Sequence, residues 1–201
     1  MSVIRLSRAD QPELIALLRA AFYDYPVMRF VLKSAGEEYD RQLDALIEFF
    51  CAIRFVRDFP ALGIRESGQL VAAALLNDPT PEPRPLPQAE LERMKSIVGP
   101  EAEARLVQYE TKSSIPEPSA PHHLLGMIGV HPEHRGKRYG GALMDAAREL
   151  ANSHPTSCGV YLHTEDPANV PFYQRFGYQL VGEVDVDELH SWCFFLPLKA
   201  L

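Results

Sequence analysis

The sequence predicts a mixed α/β fold, and three observations carry that prediction. From His122 onward, apolar strand-like runs alternate with stretches of helical periodicity, in the order strand, helix, strand, helix, strand, strand. HHLLGMIGVH (residues 122–131) is a continuous apolar run of buried-strand type, and the helical crossover after it makes CGVYLHT (158–164) its parallel neighbour. ALGIRES with QLVAAALLN, and YQLVGEVDVD with SWCFFLPL, are pairs of short apolar or alternating runs separated by turns, the mark of antiparallel hairpins. The expected architecture is a central, mostly antiparallel sheet with one adjacent parallel pair, flanked by helices.

Each element has its own local reason. VIRLS reads as a first strand. Asp10 and Pro12 then open a helix whose apolar face is Leu14, Leu17, Leu18 and Ala21 and which ends near Tyr23. The chain bends at Pro26 and turns near Gly36. A second helix runs from about Tyr39 to Arg57 with Leu43, Leu46, Ile47 and Phe50 on one face, so two helices are expected before the main sheet. Ser67 and Gly68 supply the first hairpin turn. Prolines 79, 81, 83, 85 and 87 fix an extended connector because each removes an amide and locks φ. A polar helix from about Ala89 to Tyr109, bent at Gly99-Pro100, follows. Residues 78–121 therefore read as a helical insertion between two strands of one domain spanning 1–201; a linker to a second domain is the competing reading. Gly140 to Asn152 forms the crossover helix, and NVPFYQRFGY (169–178) a short one stopped by Gly177.

Composition narrows the function. The 201 residues are 46% hydrophobic and 23% charged with a formal charge of −7. That balance excludes a broad nucleic-acid or anionic-membrane surface, which needs many Lys and Arg contacts. No secretory leader or long apolar span is legible, so a cytoplasmic protein, monomer or homodimer, is expected. Cys51, Cys158 and Cys193 read as reduced core thiols rather than a disulfide framework. The HPEH run at 131–134 matches no common zinc spacing, and no metal is expected.

The stretch HPEHRGKRYGGALMDAAREL (131–150) sets Arg135, Lys137 and Arg138 among Gly136, Gly140 and Gly141, after a buried strand and before a helix. Free first-turn amides, the positive end of the helix dipole and the basic side chains together favour a phosphate there. A charged surface turn is the competing reading. Neither the GxxxxGK[ST] nor the GxGxxG spacing is present, which leaves an anion site of another type.

VHPEHRGKRYGGAL resembles the acetyl-coenzyme A loop of the GNAT superfamily of N-acetyltransferases, whose pattern is Gln or Arg, two residues, Gly, one residue, Gly or Ala. Arg135 opens that pattern and Gly140 closes it, while Arg138 stands at the middle Gly. Asn169, Tyr173, Gly177 and Tyr178 resemble the family's Asn-x-x-x-Tyr helix followed by Gly and an aromatic. Within the superfamily, the run LHTEDPANVPFYQRFGY is most similar to the puromycin N-acetyltransferase-like members. The resemblance implies a sheet splayed between its two parallel strands and transfer of acetyl from acetyl-CoA to a primary amine, most simply of a small molecule, by direct attack in a ternary complex. It implies cofactor contacts from Ile128, Gly129 and Val130 to pantetheine, from Arg135, Gly136, Lys137, Arg138, Tyr139, Gly140 and Gly141 to the phosphates, and from Asn169.

An alkyl amine is only about a thousandth neutral at pH 7, so its proton must be accepted before attack. His163 and Glu165, at the C-terminal end of the second parallel strand, are the candidates, with water as the alternative. Tyr173 is the candidate acid for the departing thiolate, and a helix N-terminus near it would favour its phenolate. Asp24 and Tyr25 are candidate substrate contacts. A catalytically silent acyl-CoA-binding module and an acetyltransferase acting on a protein amine are the rival functions.

Overall fold

The computed structural model describes residues 2–79 and 84–198. Pro81 and Pro83 of the expected connector lie outside the described residues.

A seven-stranded sheet holds the chain together in the order β1-β2-β3-β4-β5-β7-β6. Its strands are β1 (Val3–Arg5), β2 (Ala61–Glu66), β3 (Gln69–Asn77), β4 (His123–Val130), β5 (Gly159–Thr164), β6 (Gln179–Val186) and β7 (Leu189–Pro197). All neighbours are antiparallel except β4 and β5. Helices α1 (Gln11–Phe22), α2 (Pro26–Val31), α3 (Tyr39–Val56) and α4 (Gln88–Ser113) cover one face, and α5 (Tyr139–Ser153) and α6 (Val170–Arg175) the other. No helix among the described residues is long and apolar enough to cross a membrane.

The helices follow from their apolar stripes. In α5, Leu143, Met144, Ala147 and Ala151 are buried on one side. In α4 the buried stripe is narrow, comprising Met94, Val98, Ala102, Leu106, Tyr109 and Ser113, and Gly99 at φ 79° with Pro100 bends it where the sequence places the bend. Three helices, not two, precede β2. Pro26 does not merely turn the chain: its fixed φ opens α2 after extended Tyr25, and Val27, Met28, Phe30 and Val31 bury that helix. The thiols are all free, with Cys51 and Cys193 buried. Cys158 is half-buried and lies just before β5 rather than inside it.

Two glycines of β4 shape the sheet for different reasons. The β3–β4 register passes from Leu75↔Met127 to Leu76↔Leu125, so Gly126 is the extra residue of a bulge. A Cβ there would stand 2.8 Å from the Arg54 guanidinium. At Gly129 a Cβ would meet Ala21 at 2.9 Å and Phe22 at 3.2 Å, so α1 crosses directly over the strand. Beyond the bulge the parallel pair opens. The described pairing of β4 with β5 stops after His123↔Val160 and Leu124↔Tyr161, while β5 stays paired to β7 as far as Thr164↔Trp192. The result is a notch between β4 and β5 with main-chain groups of β4 facing it.

Candidate active site

The end of β5 projects a hydrogen-bonded cluster toward this notch. The Tyr109 hydroxyl, delivered by α4, lies 2.7 Å from Glu165 Oε1 and 2.7 Å from His163 Nδ1. Ser191 of β7 donates to the same carboxylate oxygen at 3.0 Å. A phenol has one proton. With that proton given to Glu165, the phenol oxygen accepts from Nδ1–H, an arrangement that in the neutral ring leaves the lone pair on Nε2. Burial, reinforced by the Glu165 charge, holds the Tyr109 hydroxyl well above the ordinary phenol range, so it stays a donor.

Tyr173 sits on α6, buried against Tyr178 and Phe194 with ring centroids 6.1 and 6.0 Å away. Its phenol is raised above the ordinary value by burial first, then by the carboxylates of Glu165 and Asp166. The expected lowering of the phenol by a helix terminus does not occur, because burial first and then the two carboxylates raise it. Asn169, four residues earlier, donates to Thr164 Oγ1 at 3.2 Å, and Tyr25 OH meets the same oxygen at 2.8 Å. Tyr25 therefore reaches the site. Asp24 does not: its side chain is 80% exposed and bound by Arg29, which also covers the Tyr39 ring, and it is absent from the cavity lining.

The basic loop is less positive than its sequence. Lys137 Nζ lies 2.8 and 3.1 Å from the Glu66 carboxylate, Tyr139 OH donates to it at 2.7 Å and His134 Nδ1 stands 2.7 Å away. Glu66 is correspondingly held down at about 2, chiefly by Lys137 and then by Tyr139. Lys137 is thus committed to a carboxylate from the β2–β3 hairpin, and the Tyr139 side chain is turned into the core, leaving its backbone to the loop. Arg135 remains exposed, its nearest acceptor the Ala21 carbonyl at 3.5 Å. Gly136 at φ 81° and Arg138 at φ 64° curl the backbone so that α5 begins at Tyr139. The amides of Tyr139, Gly140 and Gly141 precede the first intrahelical bond, Ala142 N to Arg138 O, and are free to donate. Gly140 and Gly141 also let α5 approach α6, since Cβ atoms there would lie 3.4 Å from Phe172 and 3.1 Å from Phe176.

Arg138 pays a steric penalty of roughly 1 kcal/mol for its left-handed backbone, partly offset by the greater chain entropy a glycine would lose. Arg138→Gly is therefore expected to stabilise the fold by about 0.5 kcal/mol, read as a higher urea midpoint at unchanged slope. A lower midpoint would show that the Arg138 side chain holds the loop.

A cavity of about 580 Å³ opens at the notch, lined by α3, α4, β4 and the ends of β5 and α6. Ile128, His163, Glu165, Asn169, Tyr173 and Tyr25 all reach it, as does Tyr109, which sequence reasoning passed over. The signal for Tyr109 was its place three residues after Leu106 on the buried stripe of α4. Gly129 and Val130 lie further along β4, on the open edge.

Residues 98–180 match the family described as Acetyltransferase (GNAT) domain. Over that stretch the chain is similar to a GNAT acetyltransferase domain. The matched region holds the basic loop, α5, β5, α6 and the cluster around His163. Similarity of fold extends over the whole chain. A histone acetyltransferase and related acetyltransferase from Corynebacterium glutamicum superposes with a TM-score of 0.73 at 20% identity, covering 100% of this chain and 97% of its own. The polyamine N-acetyltransferase of Drosophila melanogaster, which forms N-acetylagmatine, gives 0.63 at 17% identity over 98% and 99%. An agmatine N-acetyltransferase gives 0.62 at 19% identity over 98% and 99%. At these identities the superpositions establish the GNAT fold, with its splayed parallel pair.

Proposed function

We propose that this chain is an acetyl-CoA-dependent N-acetyltransferase whose acceptor is a primary amine of a small molecule. The observation that carries the reading is that an imidazole with a free ring nitrogen, a buried phenol and the open edge of β4 converge on one cavity at the notch of a GNAT fold. Names of similar folds, which include polyamine and agmatine acetyltransferases, agree with amine chemistry in general. The finer likeness to puromycin-modifying members rests on sequence alone, in the acidic turn before Pro26, the helical insertion, the run around Glu165 and the Trp192-Cys193 pair. In this reading residues 1–201 work as one domain, and the insertion is its acceptor-side cover, because α4 contributes Leu91, Met94, Leu106 and Tyr109 to the wall. An enclosed wall of that kind suits a small molecule better than a protein tail.

The residues present suit the donor. The amides of Tyr139, Gly140 and Gly141, with Arg135, would hold its phosphates, and Ile128, Gly129 and Val130 would pair with its amide groups as a short extra strand. Acetyl-CoA supplies the activated acyl group. His163 Nε2 accepts the proton that the amine sheds as its nitrogen bonds to the acyl carbon, while Tyr109 and Glu165 fix the ring. Tyr173 donates to the sulfur as the carbon–sulfur bond breaks. Asn169 and Tyr25 hold Thr164 and so the end of β5 in place.

Acetyl-CoA should raise the melting temperature and free acetate should not, because phosphate and pantetheine contacts dominate the affinity. Arg135→Ala is expected to weaken acetyl-CoA binding about tenfold, the worth of one exposed charge-assisted contact. Lys137→Ala should change it less than threefold, since Glu66 already claims that ammonium. Titration calorimetry on both variants decides. The reverse ranking, or no binding by the parent chain, would count against the loop as the phosphate cradle.

A further inference from the structure

The same cavity contains a charge that acetyl transfer does not use. Arg54 lies on α3, three residues after Cys51 and four after Phe50, on the helix face turned inward. It is 6% exposed, lines the cavity, and its Nε is buried with no hydrogen-bond partner among the described residues. Other acids of the lining are engaged elsewhere. Glu165 is held by Tyr109 and Ser191, Glu103 is paired with Lys95 at 2.9 Å, and Glu117 with His122 at 2.8 Å. Glu110 attracts Arg54 without forming an ion pair with it among the described residues, and burial raises its carboxyl against that attraction and that of His163. Arg57, the remaining nearby cation, repels Arg54.

An arginine buried without a carboxylate is costly, and a chain keeps one where a ligand completes it. The backbone makes room for it. The β4 bulge places at position 126 a glycine whose missing Cβ would stand 2.8 Å from Nη2. The lining also includes the apolar side chains of Phe49, Phe50, Met94 and Leu106, and Glu110, whose carboxyl interacts with both Arg54 and His163.

We infer that the acceptor is a primary amine joined through an apolar body to a carboxylate, and that the Arg54 guanidinium, seated over the Gly126 bulge, receives the carboxylate while the amine reaches His163. This deepens the acetyltransferase reading and rests on it for the amine end only. A planar guanidinium matches a carboxylate two bonds at a time, and a single guanidinium opposed by Glu110 suits a monoanion better than a phosphate. A diamine would bring a second cation against Arg54 and should be the poorest of the three acceptor types.

The test compares ω-aminohexanoate, ω-aminooctanoate and ω-aminodecanoate with the matching alkylamines and α,ω-diamines as acceptors. Octanoate, which has no amine, serves as a binding probe by calorimetry. One amino acid length is expected to exceed its alkylamine in kcat/KM by at least about tenfold, the worth of a buried hydrogen bond to a charged group. Arg54→Met should abolish that preference, spare alkylamine turnover and weaken octanoate binding about tenfold or more. Without ligand it should melt no lower than the parent, because an unpaired buried charge has been removed. Arg54→Gln, which keeps a polar head, gives the same comparisons if the Met variant does not fold. Equal turnover of amino acid and alkylamine by the parent chain, or octanoate binding unchanged in either variant, would overturn the proposal. If no amine is turned over, the acetyltransferase reading falls by itself, and octanoate binding still decides whether Arg54 is a carboxylate site.

Discussion

His163→Ala is expected to lower kcat/KM for the amine by about 10² to 10³ while leaving acetyl-CoA affinity within about threefold, the usual range for loss of a positioned general base. The reason is geometric. Glu165 and Tyr109 leave the imidazole one hydrogen-bonded nitrogen and one free one, and the free nitrogen belongs to a ring lining the cavity. Tyr109→Phe should cost about tenfold, since the ring stays in place but its tautomer is no longer fixed. The measurement is kcat/KM against pH for the three proteins. A His163→Ala variant within about threefold of the parent across the pH range would assign proton acceptance to water.

The second large effect belongs to Tyr173. Replacing it with Phe removes one oxygen from a buried ring and is expected to reduce kcat by about 10² with cofactor binding nearly unchanged. In water a phenol near 10 protonates a thiolate near 8.5 only uphill, by roughly 2 kcal/mol. In the protein, burial and then Glu165 and Asp166 push the phenol higher still. The consequence is a group that keeps its proton throughout the working range and stabilises the departing sulfur as a hydrogen-bond donor, in surroundings that also disfavour a bare thiolate. The parent kcat should therefore show no fall attributable to Tyr173 as pH rises to about 10, the ordinary phenol value, because a raised value moves its deprotonation above that range. A variant within threefold of the parent would leave Tyr173 as a packing residue between Tyr178 and Phe194.

Much of this arrangement was legible before any coordinates, for physical reasons that also mark where reading stopped. Periodicity located α1, α3 and α5 to within a few residues, because each buries one continuous stripe. Gly126 sits at a bulge, and Gly129 relieves crowding beneath the side chains of α1. Glycine-like curvature at Arg138 was legible only through the motif it departs from, since nothing in an arginine's chemistry requests φ 64°. Pairings between distant segments could not be read. Lys137 and Glu66 are 71 residues apart, so the loop's charge was overcounted. Asp24 was overvalued for the same reason, its partner Arg29 lying on a helix that the bend at Pro26 concealed. Arg54 and Tyr109 each sit on an apolar stripe, where a polar side chain facing inward is the available signal, but what they face depends on how α3 and α4 meet over β4.

Thiol release from acetyl-CoA by the purified chain, followed across a panel of primary amines with the acylated product weighed by mass spectrometry, tests the central claim most directly. The account predicts release that depends on the amine, saturates with it, and matches N-acetylated product one for one. Tight acetyl-CoA binding without amine-dependent release across the panel would contradict it and leave an acyl-CoA-binding module in its place.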